Sequence, residues 1–273
     1  MNLRNVLLAA ALMTPLFAQP HFEVATIKPS GPPDFEHCSG DGPSPGRMSW
    51  KCATMGDLIQ QAYGVFANGA MATTPKPVRL LGEPRWFTSE PFSIEAKAEG
   101  APPVNLMAGP MLQSLLEDRF QLKVHRETHE QQPVYSLTVA KSGLKIRALT
   151  ETCKPLDLTT LMQRQGPPPA DTCASRQMRV IRETTPPSIV LTTHAMTMSQ
   201  FADTIAGFVD RPVLDKTGVA GIFDFRLEYS ADRNSDSGPS VFSDVQQLGL
   251  RLESDKGPVE FLVIDHVEKP SEN

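Results

Sequence analysis

The chain has 273 residues, with 26 Lys and Arg against 31 Asp and Glu and a net charge of −5. Mild acidity excludes a general nucleic-acid binder, which needs clustered positive charge to meet phosphates. Hydrophobic residues make up 40% of the chain, enough for the core of one large domain or two small ones.

The first element in chain order is a leader. Arg4 gives a positive start, Val6 to Leu12 is an apolar run, Met13-Thr14-Pro15 breaks it, and Ala18 is a small residue. This is the layout of a secretory signal peptide cleaved near Ala18. The run is shorter than the roughly 20 apolar residues of a spanning helix. No later segment is apolar enough to span. The expectation is a periplasmic or secreted protein without a membrane span after cleavage.

Such a compartment allows disulfides, and the chain has an even set of cysteines: Cys38, Cys52, Cys153 and Cys173. Three connectivities exist. Local pairing, Cys38–Cys52 and Cys153–Cys173, is favoured because each pair brackets a polar, Pro/Gly-rich segment with little core of its own. A zinc site from His37, Cys38 and Cys52 is the rival, but no Cys-x-x-Cys spacing supports it.

Four amphipathic helices follow, each leading into extended segments. The first starts after Thr54, with Asp57 three residues on, and carries Met55, Leu58, Ile59, Ala62 and Tyr63 on one face. A strand is expected at Phe92 to Ala96. The second helix runs from about Gly109 to Arg119, with Leu112, Leu115, Leu116 and Phe120 as its stripe. Leu122 and Val124, then Tyr135, Leu137 and Val139, alternate with polar residues and read as a β-hairpin. The third helix opens on a Thr197/Gln200 capping box. After it, Arg211 to Leu214 is extended, and Phe223, Phe225, Leu227 and Tyr229 alternate with charges. The fourth starts near Ser240 and stops at Gly249. Asp255 to Pro258 is read as a turn, and Val259 to Val267 as a last, central strand, apolar on both faces.

The second and fourth units are alike: Leu115 to Leu122 parallels Val245 to Leu252, and Pro133 to Leu137 parallels Pro258 to Leu262. One αββ unit cannot bury its own apolar face, so the units must pack together. The expected fold class is α+β, repeated helix–β-hairpin units forming mainly antiparallel sheet covered by short helices. The expected organisation is a leader (1–18), a first αββ pair with an N-terminal strand (19–149), a Pro-rich disulfide-bounded loop (150–187) and a second αββ pair (188–273). Asp232 to Gly238 reads as a flexible linker.

Several segments resemble a known family. They are Leu116 to Phe120 with His125-Arg126-Glu127 and Pro133-Val134-Tyr135; Arg211 to Gly218 with Gly221 to Phe225; Phe22 to Ala25; and Val263 to Pro270. Together they resemble the uncharacterised soil-associated exported proteins expanded in Acidobacteria, a domain-of-unknown-function family, over nearly all of the chain after the leader. The resemblance implies a periplasmic or secreted setting. Some relatives carry the domain beside metallopeptidase domains of the antibiotic-sensor type, which implies a sensory or interaction role by analogy alone. It brings no catalytic residues.

Candidate chemistry is sparse. His125, Glu127 and His129 share one face of a strand and form a candidate metal cluster, although the spacing is not the helical His-Glu-x-x-His. A polar hairpin face is the simpler reading. His266 and Glu268 form a candidate acid–base pair, without an identifiable nucleophile; a solvated strand end is the simpler reading. Lys216-Thr217-Gly218 lacks the Ser-x-x-Lys that would make it a penicillin-recognising motif. Trp50, Trp86 and Phe87 are assigned to core packing. No cofactor is expected. The leading expectation is a non-catalytic binding or interaction module of the envelope with a protein, peptide or glycan partner. A hydrolase and a structural envelope protein are the alternatives.

Overall fold

The computed structural model describes residues 19–31, 38, 44–69, 76–150, 152–154, 169, 171–183, 187–230 and 240–270. The expected leader, most of the Pro-rich segment between 155 and 170 and the expected linker after Asp232 lie outside the described residues.

In chain order the elements are β1 (Val24–Pro29), β2 (Arg47–Thr54), α1 (Met55–Ile59), β3 (Leu80–Leu81), β4 (Pro91–Lys97), α2 (Val104–Leu106), α3 (Leu112–Phe120), β5 (Lys123–Val139), β6 (Ser175–Ile181), β7 (Ser188–Met196), α4 (Met198–Ile205), β8 (Val213–Asp215), β9 (Phe223–Ser230), α5 (Val241–Gln247) and β10 (Leu250–His266). Wide helical turns extend α1 through Gln60–Val65 and join α2 to α3 through Met107–Met111. The class is α+β. Three sheets have the orders β1-β4-β2, β3-β10-β5-β8 and β6-β7-β9. Within the 150–187 stretch, β6 pairs antiparallel with β7 along its whole length.

The expected helix starts appear where their caps are. The Thr54, Thr197 and Ser240 side chains each accept from a backbone N–H in the first turn of their helix, satisfying a donor that would otherwise be orphaned. Gly249 ends the last helix with φ +76°. A Cβ there would lie 2.2 Å from the Gly143 carbonyl oxygen, so no side chain fits.

The two expected hairpins are corrected. Residues 123–139 form one strand and 250–266 another, and these two 17-residue strands pair antiparallel from Val139↔Leu250 to Lys123↔His266. The segments read as turns lie mid-strand. Pro133 sits opposite Lys256, and the register shifts between Gly257 and Val259. A bulge absorbs the prolines, which cannot donate to a ladder. Asp255, with its turn chemistry, is held instead by the Ser136 hydroxyl at 2.6 Å and the Lys216 ammonium at 2.8 Å. These donors hold its carboxyl well below the usual range. The pattern of turn residues was the same; long-range pairing outweighed it.

This ribbon spans two cores. Leu122, Leu262 and Ile264 join the N-terminal core around Met55, Phe87, Ile94 and Phe120. Leu137 and Leu250 join the C-terminal core around Phe201, Phe223, Phe225 and Val245. The cores share further details. Thr54 and Thr197 each follow a strand with a register shift and a positive-φ residue, Cys52 and Ala195. Each caps a helix that opens on a buried Met, Met55 or Met198. A short strand then follows, parallel to the ribbon: β3 on β10 and β8 on β5.

The disulfides are Cys38–Cys52 and Cys153–Cys173. Neither pair is therefore free to ligate zinc. Cys153–Cys173 closes a loop of 20 residues, and such a link stabilises by about 3 kcal/mol through the unfolded chain. Replacing both cysteines by Ser is expected to lower the urea-unfolding free energy by about that amount. An unchanged midpoint under matched non-reducing conditions would remove this role.

Candidate ligand-binding cleft

A cleft of about 540 Å³ lies where the two cores meet the ribbon bulge. One wall is built from the α1 turn. Gln60 reaches Val78 with two bonds, donating to its carbonyl at 2.7 Å and accepting from its N–H at 2.8 Å. This amide acts as a strand edge and holds the 76–79 segment in place. Gly64 packs against that segment: a Cβ would come within 2.9 Å of Val78. The Arg79 carbonyl then accepts from Leu262 N–H at 2.8 Å, which starts the β3–β10 pairing.

The floor is the ribbon, with Pro258, Val259, Glu260, Leu262 and Arg126. Arg126 pairs with Glu260 and donates to the Tyr63 carbonyl at 3.1 Å. The opposite wall comes from α4 and β8, with Asp203, Ala206, Pro212, Val213 and Leu214. Lys76 and Asp203 join the walls through an ion pair at 3.2 Å.

The charges are unequal. Lys76, Arg79 and Arg126 line it together with Asp203 and Glu260. Asp203 and Glu260 are taken by Lys76 and Arg126. Arg79 has no side-chain partner among the described residues, and burial pushes its pKa down. Burial also raises the Asp203 carboxyl, opposed by Lys76. Burial, then the Glu117 charge, raises the Tyr63 phenol. It stays protonated, and its hydroxyl is buried without a hydrogen-bond partner among the described residues.

The residues singled out from sequence lie elsewhere. His125, Glu127 and His129 do share one face: Glu127 lies 3.1 Å from His129 Nε2 and 3.9 Å from His125 Nε2. Asp265, from the facing strand, lies 2.9 Å from His125 Nδ1. His129 rests on the Phe261 ring. Among the described residues no group of three or more His, Cys, Asp or Glu side chains is gathered to hold a metal. His266 and Glu268 meet at 3.0 Å, both exposed. None of these five lines the cleft. Trp50 and Phe87 are buried, and the Trp50 N–H donates to Gln61 at 2.9 Å.

The Asp265 hydrogen bond raises the His125 pKa, helped by charge from Asp265 and Glu127. A raised folded value means that the pair contributes stability below about pH 6.5, the unfolded value. That contribution is lost as pH rises through the folded value. An NMR titration of the His125 ring should give a midpoint above the unfolded value. Asp265→Asn should lower it; an unmoved midpoint would dismiss the pair.

Sequence reading missed the cleft residues. Arg79 stands inside an apolar run, Val78 to Leu81, and Arg126 and Glu260 look like ordinary strand charges. The available signal was a proline in each of two otherwise alternating strands, Pro133 and Pro258, which marks a bulge.

Residues 56–267 match a family model described as a protein of unknown function (DUF3738). No curated protein and no solved structure matches the chain. Among the described residues no helix is long and apolar enough to cross a membrane. The match covers most of the chain, with all of the C-terminal core and part of the N-terminal one, and the chain belongs to the DUF3738 family.

Proposed function

We propose that this chain is an exported, non-catalytic binding module whose ligand sits in the cleft between the two cores. The observation that carries the reading is the cleft itself. It has the size of small-molecule sites, mainly apolar walls and a few convergent polar groups. Among the described residues its lining has no Ser, Cys or His, and its two carboxylates are both paired. The shared bulge, cap and short-strand details of the two cores support an internal duplication, with the cleft at the seam of the two copies. The two disulfides support an oxidising compartment. The competing hydrolase reading needs chemistry at His125 and His129 or at His266 and Glu268, and those pairs lie outside the cleft.

The test is a methyl-NMR fragment screen on the protein lacking residues 1–18. Hits should shift the Val78, Val213, Leu214, Val259 and Leu262 methyls. Ala206→Trp, which fills the cleft, should abolish them. Hits confined to other surfaces would defeat the proposal, as would turnover lost on a single change at His125, His129, His266 or Glu268.

A further inference from the structure

The ligand class follows from the charge pattern, and this step rests on the binding reading above. We infer that the cleft takes an amphipathic carboxylate, its head on the Arg79 guanidinium and its apolar body along Val78, Val213, Leu214, Val259 and Leu262. Lys76 and Arg126 each hold a carboxylate of the protein, whereas Arg79 holds none among the described residues. Removing a cation from water without a counter-ion costs free energy. Burial holds the Arg79 pKa down, which fits a desolvated group with nothing opposing the penalty. A ligand that brings an anion recovers that cost on binding.

The number of free charges selects the kind of anion. One uncompensated guanidinium matches one negative charge, and its planar fork matches a carboxylate in two parallel hydrogen bonds. A phosphate monoester carries nearly two charges and would need a second free cation; the neighbouring cations are already paired. The lining selects the rest of the ligand. The prolines Pro77, Pro212 and Pro258 supply rigid surface without amide donors. With the aliphatic side chains they leave few sites for a sugar's hydroxyls to bond. An apolar chain or ring suits these walls better.

Straight-chain acids of six to twelve carbons, each beside its primary amide and its alkyl phosphate, test this by calorimetry and methyl NMR. The acid should bind in the cleft about tenfold or more tighter than its amide, the advantage of a hydrogen bond to a charged group. Arg79→Met should abolish that difference. It should also leave the melting temperature of the ligand-free protein unchanged or raise it, because an uncompensated charge is removed. Acid and amide binding the cleft equally would overturn the carboxylate inference while leaving the binding reading intact. An alkyl phosphate binding tighter than the acid would overturn it in favour of phosphate. A marked fall in melting temperature for Arg79→Met would show a structural role for the guanidinium and overturn the inference without any ligand. Binding of none of the probes in the cleft would count against the carboxylate inference; if the fragment screen also failed there, the cleft reading would fall with it.

Discussion

Phe201→Ala should lower the unfolding free energy by about 4 kcal/mol, among the larger costs of a single core truncation. Phe201 is fully buried on α4 and stacks on Phe225 with centroids 3.8 Å apart and planes 6° from parallel. Truncation removes the burial of a whole ring and the ring–ring contact, and leaves a cavity beside Phe225 and Phe223. The helix is short and cannot slide to refill it, because its start is pinned by the Thr197 capping box. Urea unfolding followed by circular dichroism gives the number. A loss below about 1 kcal/mol would mean that this core repacks freely. Phe201→Leu, which keeps most of the volume, should lose much less.

Gly109→Ala should cost about 3 kcal/mol, at the upper end for overpacking. Gly109 lies in the wide turn between α2 and α3, against the end of the turn that extends α1. A Cβ would sit 2.0 Å from the Phe66 carbonyl oxygen, and the obstacle is backbone rather than the end of a flexible side chain. One of the two turns must move. The Gln60–Val65 turn also carries Tyr63 and Gly64 to the cleft, and Gln113 donates to the Ala62 carbonyl at 2.7 Å and the Ala67 carbonyl at 2.9 Å. The substitution should therefore weaken ligand binding as well as stability, although Gly109 does not line the cleft. Stability and affinity measured on the same variant separate the two effects. A stable variant with unchanged affinity would show that the turns are not coupled to the site.

Local signals were well represented in the chain. The Thr54, Thr197 and Ser240 starts and the Gly249 stop follow from short-range chemistry, a hydroxyl that accepts N–H bonds and a backbone position with no room for a Cβ. The stripe Met55, Leu58, Ile59 and Ala62 is buried as its spacing requires. The nearer cysteines pair, as their Pro/Gly-rich intervals favour. The one-face arrangement of His125, Glu127 and His129 follows from the twofold period of a strand.

Legible in the chain were the α+β class, the helix starts at Thr54, Thr197 and Ser240, a preference for pairing neighbouring cysteines, and which strand faces carry charge. Each depends on residues close together in the chain. That 123–139 and 250–266 are single strands paired with each other came from long-range pairing, because Pro133 and Pro258 signal a turn or a bulge equally well until a partner strand is present. The tertiary structure alone decided which charges neutralise one another. Lys76 and Asp203 lie 127 positions apart, and Arg126 and Glu260 are 134 apart. Arg79 differs from the other arginines of the chain only in what surrounds it after folding. Whether a half-buried guanidinium meets a carboxylate is a property of packing, and in the cleft no carboxylate among the described residues meets that of Arg79.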